Sequence, residues 1–478
     1  MVALCLLVIG AVTVALLFVY SDTEKYETAN PGEPLNRSSG PSNTTATPTD
    51  RSARTPVQTV TIIRPGTTPS TTSSATIIST KSATTMTPST TASTPSPMST
   101  NTNTPAPQWR PMNPKPILCT FGVTAGPDTV GPQDGVCDII IFDFLYVDGK
   151  GTFLDRAAPP LEWFISYIQN NTGTTEFGLG IDHSHIDHAT NDLATTGGED
   201  AVRELWSLKI RHYGLLNFPV HDELVATRET ARVYINLFRM LRKLQDVNRA
   251  SKFDEPGYLI LGIGLYAPRS GDAYVNLRGI LQYAKLDAVV VRTHLENIPE
   301  GRDDCQITGP NVYTTPPNPY EVSMVEALDY VESHYEHFRG RSLMVSFSMS
   351  MLLAKPQIRT AEDDFDVGNE CIYIRILDIG ALCVLSKTTY FGRVVQPQHV
   401  MHGFSKIGAK TTTYDSPDTI KWKICMSTKR YPTFKFGVAL FCLEHEDGTG
   451  KCNKYGRGRF THVAGYWRAQ NVSQYVKN

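Results

Sequence analysis

The pattern of apolar and polar positions divides the chain into three stretches. Val2 to Tyr20 carry no charge and are almost wholly apolar. As a helix, these residues would span about 28 Å, close to the hydrocarbon thickness of a bilayer. Residues 22 to 115 show neither helical nor strand periodicity. From Pro116 onward, short apolar runs alternate with amphipathic stretches. The runs are Pro116 to Gly122, Cys137 to Val147, Glu176 to Ile181, Tyr213 to Val220, Tyr258 to Tyr266, Leu286 to Val291, Ser342 to Met349 and Phe436 to Leu443. Near-continuous apolar runs of this length predict strands buried on both faces, as in a parallel sheet. Between them, Tyr234, Leu237, Phe238, Leu241 and Leu244 recur at helical spacing, which predicts a helix over Thr227 to Asn248. Asp200 to Ile210 and Glu321 to Phe338 read similarly. Eight strands alternating with helices predict an α/β chain folded as a (β/α)8 TIM barrel. A doubly wound open sheet is the alternative, but no glycine-rich phosphate loop follows any of the runs.

Composition explains the silent middle stretch. It is rich in Ser, Thr and Pro and nearly free of aromatics, so it cannot bury enough apolar surface to offset the entropy of ordering. Ser and Thr with interspersed Pro predict an O-glycosylated, mucin-like disordered stalk, or else a bare linker. The expected organisation is therefore a signal segment over 1–21, the stalk over 22–115 and a barrel domain over 116–478. The apolar segment is either a cleaved signal peptide or an uncleaved anchor, and its length favours the anchor. Both readings put the barrel outside the cell, as a single-pass membrane protein or a secreted one. The sequons at Asn36, Asn43, Asn170 and Asn471 agree with that placement.

Charge and cysteines narrow the class. The chain has 45 basic and 47 acidic residues, without the basic footprint of a nucleic-acid binder. Of nine cysteines, one lies in the apolar segment and the rest between Cys119 and Cys452. An even number beyond such a segment predicts disulfides in an oxidising compartment. The chain has no C-x-x-C pair, which argues against a zinc ribbon.

Four segments together resemble the family 18 glycoside hydrolases, as a chitinase-like protein of the secreted or membrane-attached arthropod type. They are Cys119 with the CDIIIFDFL run from Cys137, the stretch His212 to Glu223 before the long helix, LDAVVVRTHL from Leu286, and TTTYDSPDTIKWK from Thr411 leading into FGVALFCLEHEDGTGKC. The resemblance covers roughly 116 to 465. It implies a disulfide between Cys119 and Cys137 and another between Cys383 and Cys452. It also implies a shortened insertion between strands seven and eight, whose helix would contain ILDIGALCVLS. Cys305, Cys371, Cys425 and Cys442 are left without assigned partners.

The family's chemistry sets a sharper expectation. Its retaining chitinases use the substrate's acetamido group as nucleophile. The fourth strand reads D-G-x-D-x-D-x-E. The Glu is the general acid and the neighbouring Asp holds the acetamido group. A Tyr on strand six steadies the acetamido oxygen, and a Trp on strand eight floors the sugar. The matching positions here are Gly214, Asn217, Pro219 and His221 on strand four, Arg292 to Leu295 with His294 in place of Tyr, and Phe441 in place of Trp. Proline has neither an acidic group nor an N–H. The degenerate positions Asn217, Pro219, His221, Arg292 and His294 therefore predict a catalytically inactive barrel with no catalytic residue, cofactor or metal. What remains to contact a glycan at the mouth is His221, Glu223, His294, Tyr414 and Phe441. Chitin-type oligosaccharide is the ligand class the resemblance implies, and a protein partner is the other kind of occupant. Two rivals stay open: a hydrolase with relocated acids such as His221, Asp222 or Glu223, and a scaffold that binds no sugar. The run Asp182-His183-Ser184-His185-Ile186-Asp187-His188 has metal-ligand residue types, but it reads better as a polar loop at the barrel top.

Overall fold

The computed structural model describes residues 111–113, 115–171, 173–219, 227–250, 255–265, 271–295, 305–315, 323–357, 365–380, 391–395, 399–404, 410–446 and 463. The apolar segment 1–21, the stalk 22–115 up to residue 110, the sequons at Asn36, Asn43 and Asn471, and Cys383, Cys452, His221 and Glu223 lie outside them. Among the described residues no helix is long and apolar enough to cross a membrane.

All eight expected barrel strands form. They are β1 (Ile117–Phe121), β2 (Ile139–Leu145), β3 (Glu176–Ile181), β4 (Ile210–Pro219), β5 (Leu259–Gly264), β6 (Ala288–Arg292), β7 (Ser342–Ser348) and, after an insertion, β13 (Phe436–Phe441). They pair in parallel and close into a barrel in which β13 joins β7 to β1. Side chains alternate along each strand, so two cores result. Leu118, Ile141, Leu216, Ile260, Val290, Met344, Ala439 and Phe441 fill the lumen. Cys119, Ile140, Phe142, Leu179, Leu261, Val289, Val345 and Leu440 face outward into the helical layer. This double burial explains the continuous apolar runs in the sequence.

The outer layer contains α1 (Pro159–Gln169), α2 (Ile186–Leu193), α3 (Thr196–Ser207), α4 (Arg228–Ala250), α5 (Gly271–Tyr283), α6 (Met324–Ser333), the short α7 (Tyr335–Phe338) and α8 (Pro417–Arg430). Along α4 the five apolar residues at helical spacing are all buried. Ser323 starts α6 with a capping box to Glu326, and Ser416 caps α8 just before Pro417. Each cap satisfies N–H groups that the first helical turn leaves without partners.

The insertion differs from its expected form. Between β7 and β13 lies an antiparallel sheet of β8 (Met351–Pro356), β9 (Cys371–Leu377), β10 (Phe391–Val395), β11 (His399–Phe404) and β12 (Lys410–Tyr414), in the order β10-β11-β12-β8-β9. Thr411 to Tyr414 form a strand because their mostly β-branched side chains pair across β8, and the helix α8 follows from Pro417. Of ILDIGALCVLS, only the first residues, to Gly380, are described. The expected Cys119–Cys137 disulfide is present, and a second bridge joins Cys305 to Cys371. The latter clamps the loop after β6 onto β9, beside an antiparallel bridge between Gln306 and Glu370. Neither Cys425 nor Cys442 forms a disulfide with another described residue.

Candidate binding site at the barrel mouth

In a parallel barrel the loops after the strands form the functional face. On that face the described residues bring together Asp143 from β2, Asp182 after β3, Asn217 from β4, Arg292 and His294 from β6 and its extension, and Phe441 and Glu444 from β13 and its extension.

Strand β4 carries a bulge. Leu215 pairs with Leu261, but Phe218 pairs with Ile263, so β4 has one residue more than β5 over this step. A bulge re-aims the side chains beyond it. Leu216 fills the lumen, while Phe218 faces outward with its ring edge-on to Tyr234 at 4.8 Å. Asn217, 6% exposed, turns towards the end of β3. Its Nδ2 donates to Asp182 Oδ1 at 2.9 Å, and its Oδ1 accepts the His183 N–H at 3.1 Å. Its carboxamide is thus committed on both sides. Pro219 ends β4 opposite Gly264, and its side chain lies outside the described residues.

Asp182 gathers the first half of the histidine-rich run. Its carboxylate accepts from Ser184 N–H and Oγ, and from His185 Nδ1 at 2.9 Å. Burial pushes this carboxyl up, but hydrogen bonds from Ser184, His185 and Asn217, with His183 nearby, together hold it below its ordinary range. The run is a cap on a helical turn. Among the described residues no group of three or more His, Cys, Asp or Glu could hold a metal ion.

Strands β6 and β7 are laced together. Thr293 N–H donates to Ser346 Oγ at 2.8 Å, and Ser346 Oγ lies 2.7 Å from His294 Nδ1. With its oxygen accepting from Thr293, the Ser346 hydroxyl can point its proton at Nδ1, which places the imidazole proton on Nε2. Burial, reinforced by the Arg292 charge, pushes the His294 pKa well down and keeps the ring neutral. Nε2 has no hydrogen-bond partner, and the residue is 4% exposed. The ring rests on Phe441, with centroids 4.4 Å apart. Behind it, Asn311 Nδ2 donates to Thr293 Oγ1 and Ser346 O, both at 3.0 Å. Lys423 donates to Asn311 O and Asp415 Oδ1, each at 2.5 Å, in a fully buried pair.

Asp143 is the residue that strand reading passed over, although a carboxylate inside CDIIIFDFLYV was its signal. Following Ile139 and Ile141 in parity, it points into the barrel and is 2% exposed. Gly180 on β3 makes room for it, since a Cβ there would collide with Asp143 Oδ1. That oxygen has no hydrogen-bond partner. Burial first, then the charges of Asp182 and Glu444, push its pKa well up, against the opposing effect of Arg292. The two carboxyls are thus pushed in opposite directions, Asp143 towards its neutral form and Asp182 towards its charged one. Glu444 was likewise not anticipated. Its Oε1 accepts Gly122 N–H at 2.9 Å, and its buried Oε2 has no partner.

The remaining expected contacts fall differently. Phe441 is 1% exposed and belongs to the lumen core beneath His294, so it does not offer an open floor to a sugar. Tyr414 is 4% exposed and packs against Met351 and Ile379 where the inserted sheet begins. Asn170 is exposed, its Nδ2 donating to Ser166 O at 3.0 Å.

No family model and no curated protein matches the chain. Among solved structures, catalytic domain 2 of the Group II chitinase of Ostrinia furnacalis aligns over 75% of this chain and 98% of its own, at 12% identity and TM-score 0.54. A mutant of that domain in complex with (NAG)5 aligns over the same shares at 12% identity and TM-score 0.53. The chitinase-like agglutinin RobpsCRA from Robinia pseudoacacia aligns over 73% of this chain and 98% of its own, at 10% identity and TM-score 0.51. The shared property is the fold, that of family 18 chitinases and chitinase-like proteins.

Proposed function

We propose that this chain, folded as a family 18 chitinase-like barrel, is a non-hydrolysing protein that binds chitin-type oligosaccharide at its barrel mouth. One observation carries the reading. The first mouth-facing position of β4 after the bulge is a carboxamide, Asn217, held at both ends by Asp182 and the His183 backbone. It has no ionisable carboxyl, and its hydrogen-bonding groups are occupied, so it cannot serve as the carboxylate that stands at this position in the family motif. Strand β6 offers His294, which is neutral, buried and seated on Phe441. Sugar binding is supported by the mouth's unpartnered polar atoms, by the (NAG)5 complex of one structural neighbour and by the agglutinin name of another. The apolar segment and the stalk add the proposal that the barrel is displayed outside the cell, on a single membrane span or after secretion. N-terminal sequencing of the expressed protein distinguishes these by whether residues 1–21 are retained.

A second reading has its own support. Burial pushes the Asp143 pKa up while hydrogen bonds hold that of Asp182 down, and carboxyls whose pKa values are pushed apart can divide acid and base roles. This would be a hydrolase with relocated acids. Incubation with chitin oligomers, with binding and cleavage followed in parallel, separates the two. Saturable binding without cleavage is expected. Turnover abolished by Asp143→Asn, His221→Ala or Glu223→Gln would establish the hydrolase instead, and a blank glycan array would leave the barrel a sugar-free scaffold.

A further inference from the structure

The atoms left unpartnered at the mouth specify the ligand more closely than the fold does. Resting on the glycan-binding reading above, we propose that the mouth selects a 2-amino-2-deoxy sugar with a free amine, as in de-N-acetylated chitin oligomers, over its N-acetyl form. Asp143, Asp182 and Glu444 place three carboxyls around the mouth, and the cation acting on Asp143 is Arg292. Two carboxyl oxygens, Asp143 Oδ1 and Glu444 Oε2, are buried acceptors without a partner. Such atoms are costly when left without a hydrogen bond, so a ligand that supplies donors recovers that cost. An ammonium brings three donors and a positive charge. An acetamido group brings one N–H and a carbonyl, and that carbonyl would face the carboxyls. The groups that grip an acetamido in family chitinases are replaced, since Asn217 is occupied and His294 stands where the Tyr would be. His294 Nε2–H, a buried donor without a partner, is suited to a sugar hydroxyl.

The charge balance of the site gives this selection a second signature. Asp143 faces Asp182 from β3, Glu444 and Cys442 from the end of β13 and Arg292 from β6. An ammonium placed among them favours the Asp143 carboxylate over the neutral form that burial favours, so binding is expected to draw protons off this carboxyl. An N-acetyl sugar has no charge with which to do this.

The test is isothermal titration of the full chain with de-N-acetylated and with N-acetylated chitin oligomers of equal length. It is run at mildly acidic pH in two buffers of different ionisation enthalpy. The amine form is expected to bind about tenfold or more tightly, the scale of one charge-assisted hydrogen bond, and to release protons. Asp143→Asn is expected to abolish the proton release and shrink the preference. Glu444→Gln, at a half-exposed residue, shrinks the preference without requiring a change inside the barrel. Equal or tighter binding of the N-acetyl form would overturn this inference while leaving the glycan-binding reading intact. If neither oligomer binds, the glycan-binding reading fails and takes the inference with it.

Discussion

The two sides of the barrel mouth are built from similar residue types and treat them in opposite ways. On the β3–β4 side, Asp182 and Asn217 spend their polar atoms on each other, on Ser184 and His185, and on the His183 backbone. On the β2–β6–β13 side, Asp143, His294 and Glu444 each keep a buried polar atom without a partner. Buried polar groups are normally paired, and an orphan is costly. A side whose polar atoms are committed maintains architecture, whereas a side that leaves them open retains the capacity to bind. The committed side is the end of β3 and β4, and the open valences lie on β2, β6 and β13.

The harshest way to break this comparison is from behind. The open side depends on Asn311, which ties Thr293 and Ser346 together and is itself held by the buried Lys423–Asp415 pair. Lys423→Met removes the cation and leaves Asp415 charged in the interior. It should cost about 3–5 kcal/mol in denaturant unfolding, because one partner of a buried pair is stranded. A loss below about 1 kcal/mol would show that the network does not brace this side. Next in size is a direct contrast across the mouth. Asn217→Ala strips partners from Asp182 and the His183 N–H and should cost about 1–3 kcal/mol. Asp143→Asn, which removes no hydrogen bond seen at Oδ1, should not destabilise the chain and should stabilise it as pH rises, because it removes a buried carboxyl that resists ionisation. Equal costs for the two variants would erase the distinction between the sides.

Much of this fold could be read along the chain, and the reasons are physical. Strands β1 to β7 and β13 are buried on both faces, so each leaves an uninterrupted apolar run. Helix α4 has one buried stripe and leaves a helical period. The inserted sheet leaves neither, since β9 alternates unevenly between buried and half-exposed residues and β12 is mostly threonine. The Cys305–Cys371 bridge depends on a loop meeting that sheet, a long-range contact that no local pattern encodes. At the mouth, Asn217, Arg292 and His294 could be named from the strands. The bulge that decides where Asn217 points is a property of register between β4 and β5. Asp143 was legible as a carboxyl inside an apolar run. The upward push on its pKa requires knowing that it is buried and that Asp182, Glu444 and Arg292 converge on it from three other segments.

The subtlest difference between the two sides is the sign of their pH dependence. Asp143 has a folded pKa raised above its unfolded value near 3.8, so the unfolded chain gives up this proton first. Its contribution to stability is therefore full below the unfolded pKa and is lost as pH rises towards the folded one. Asp182 has a lowered folded pKa, so its contribution is present above the unfolded value and is lost as pH falls through the folded one. Denaturant midpoints measured between mildly acidic and neutral pH should decline less steeply with rising pH in Asp143→Asn than in the parent chain. Asn217→Ala, which removes one of the bonds holding Asp182 ionised, should instead weaken the loss of stability on acidification. Parallel pH profiles for the parent and both variants would mean that the two carboxyls titrate alike, and the asymmetry of the mouth would then be one of shape without a difference in charge.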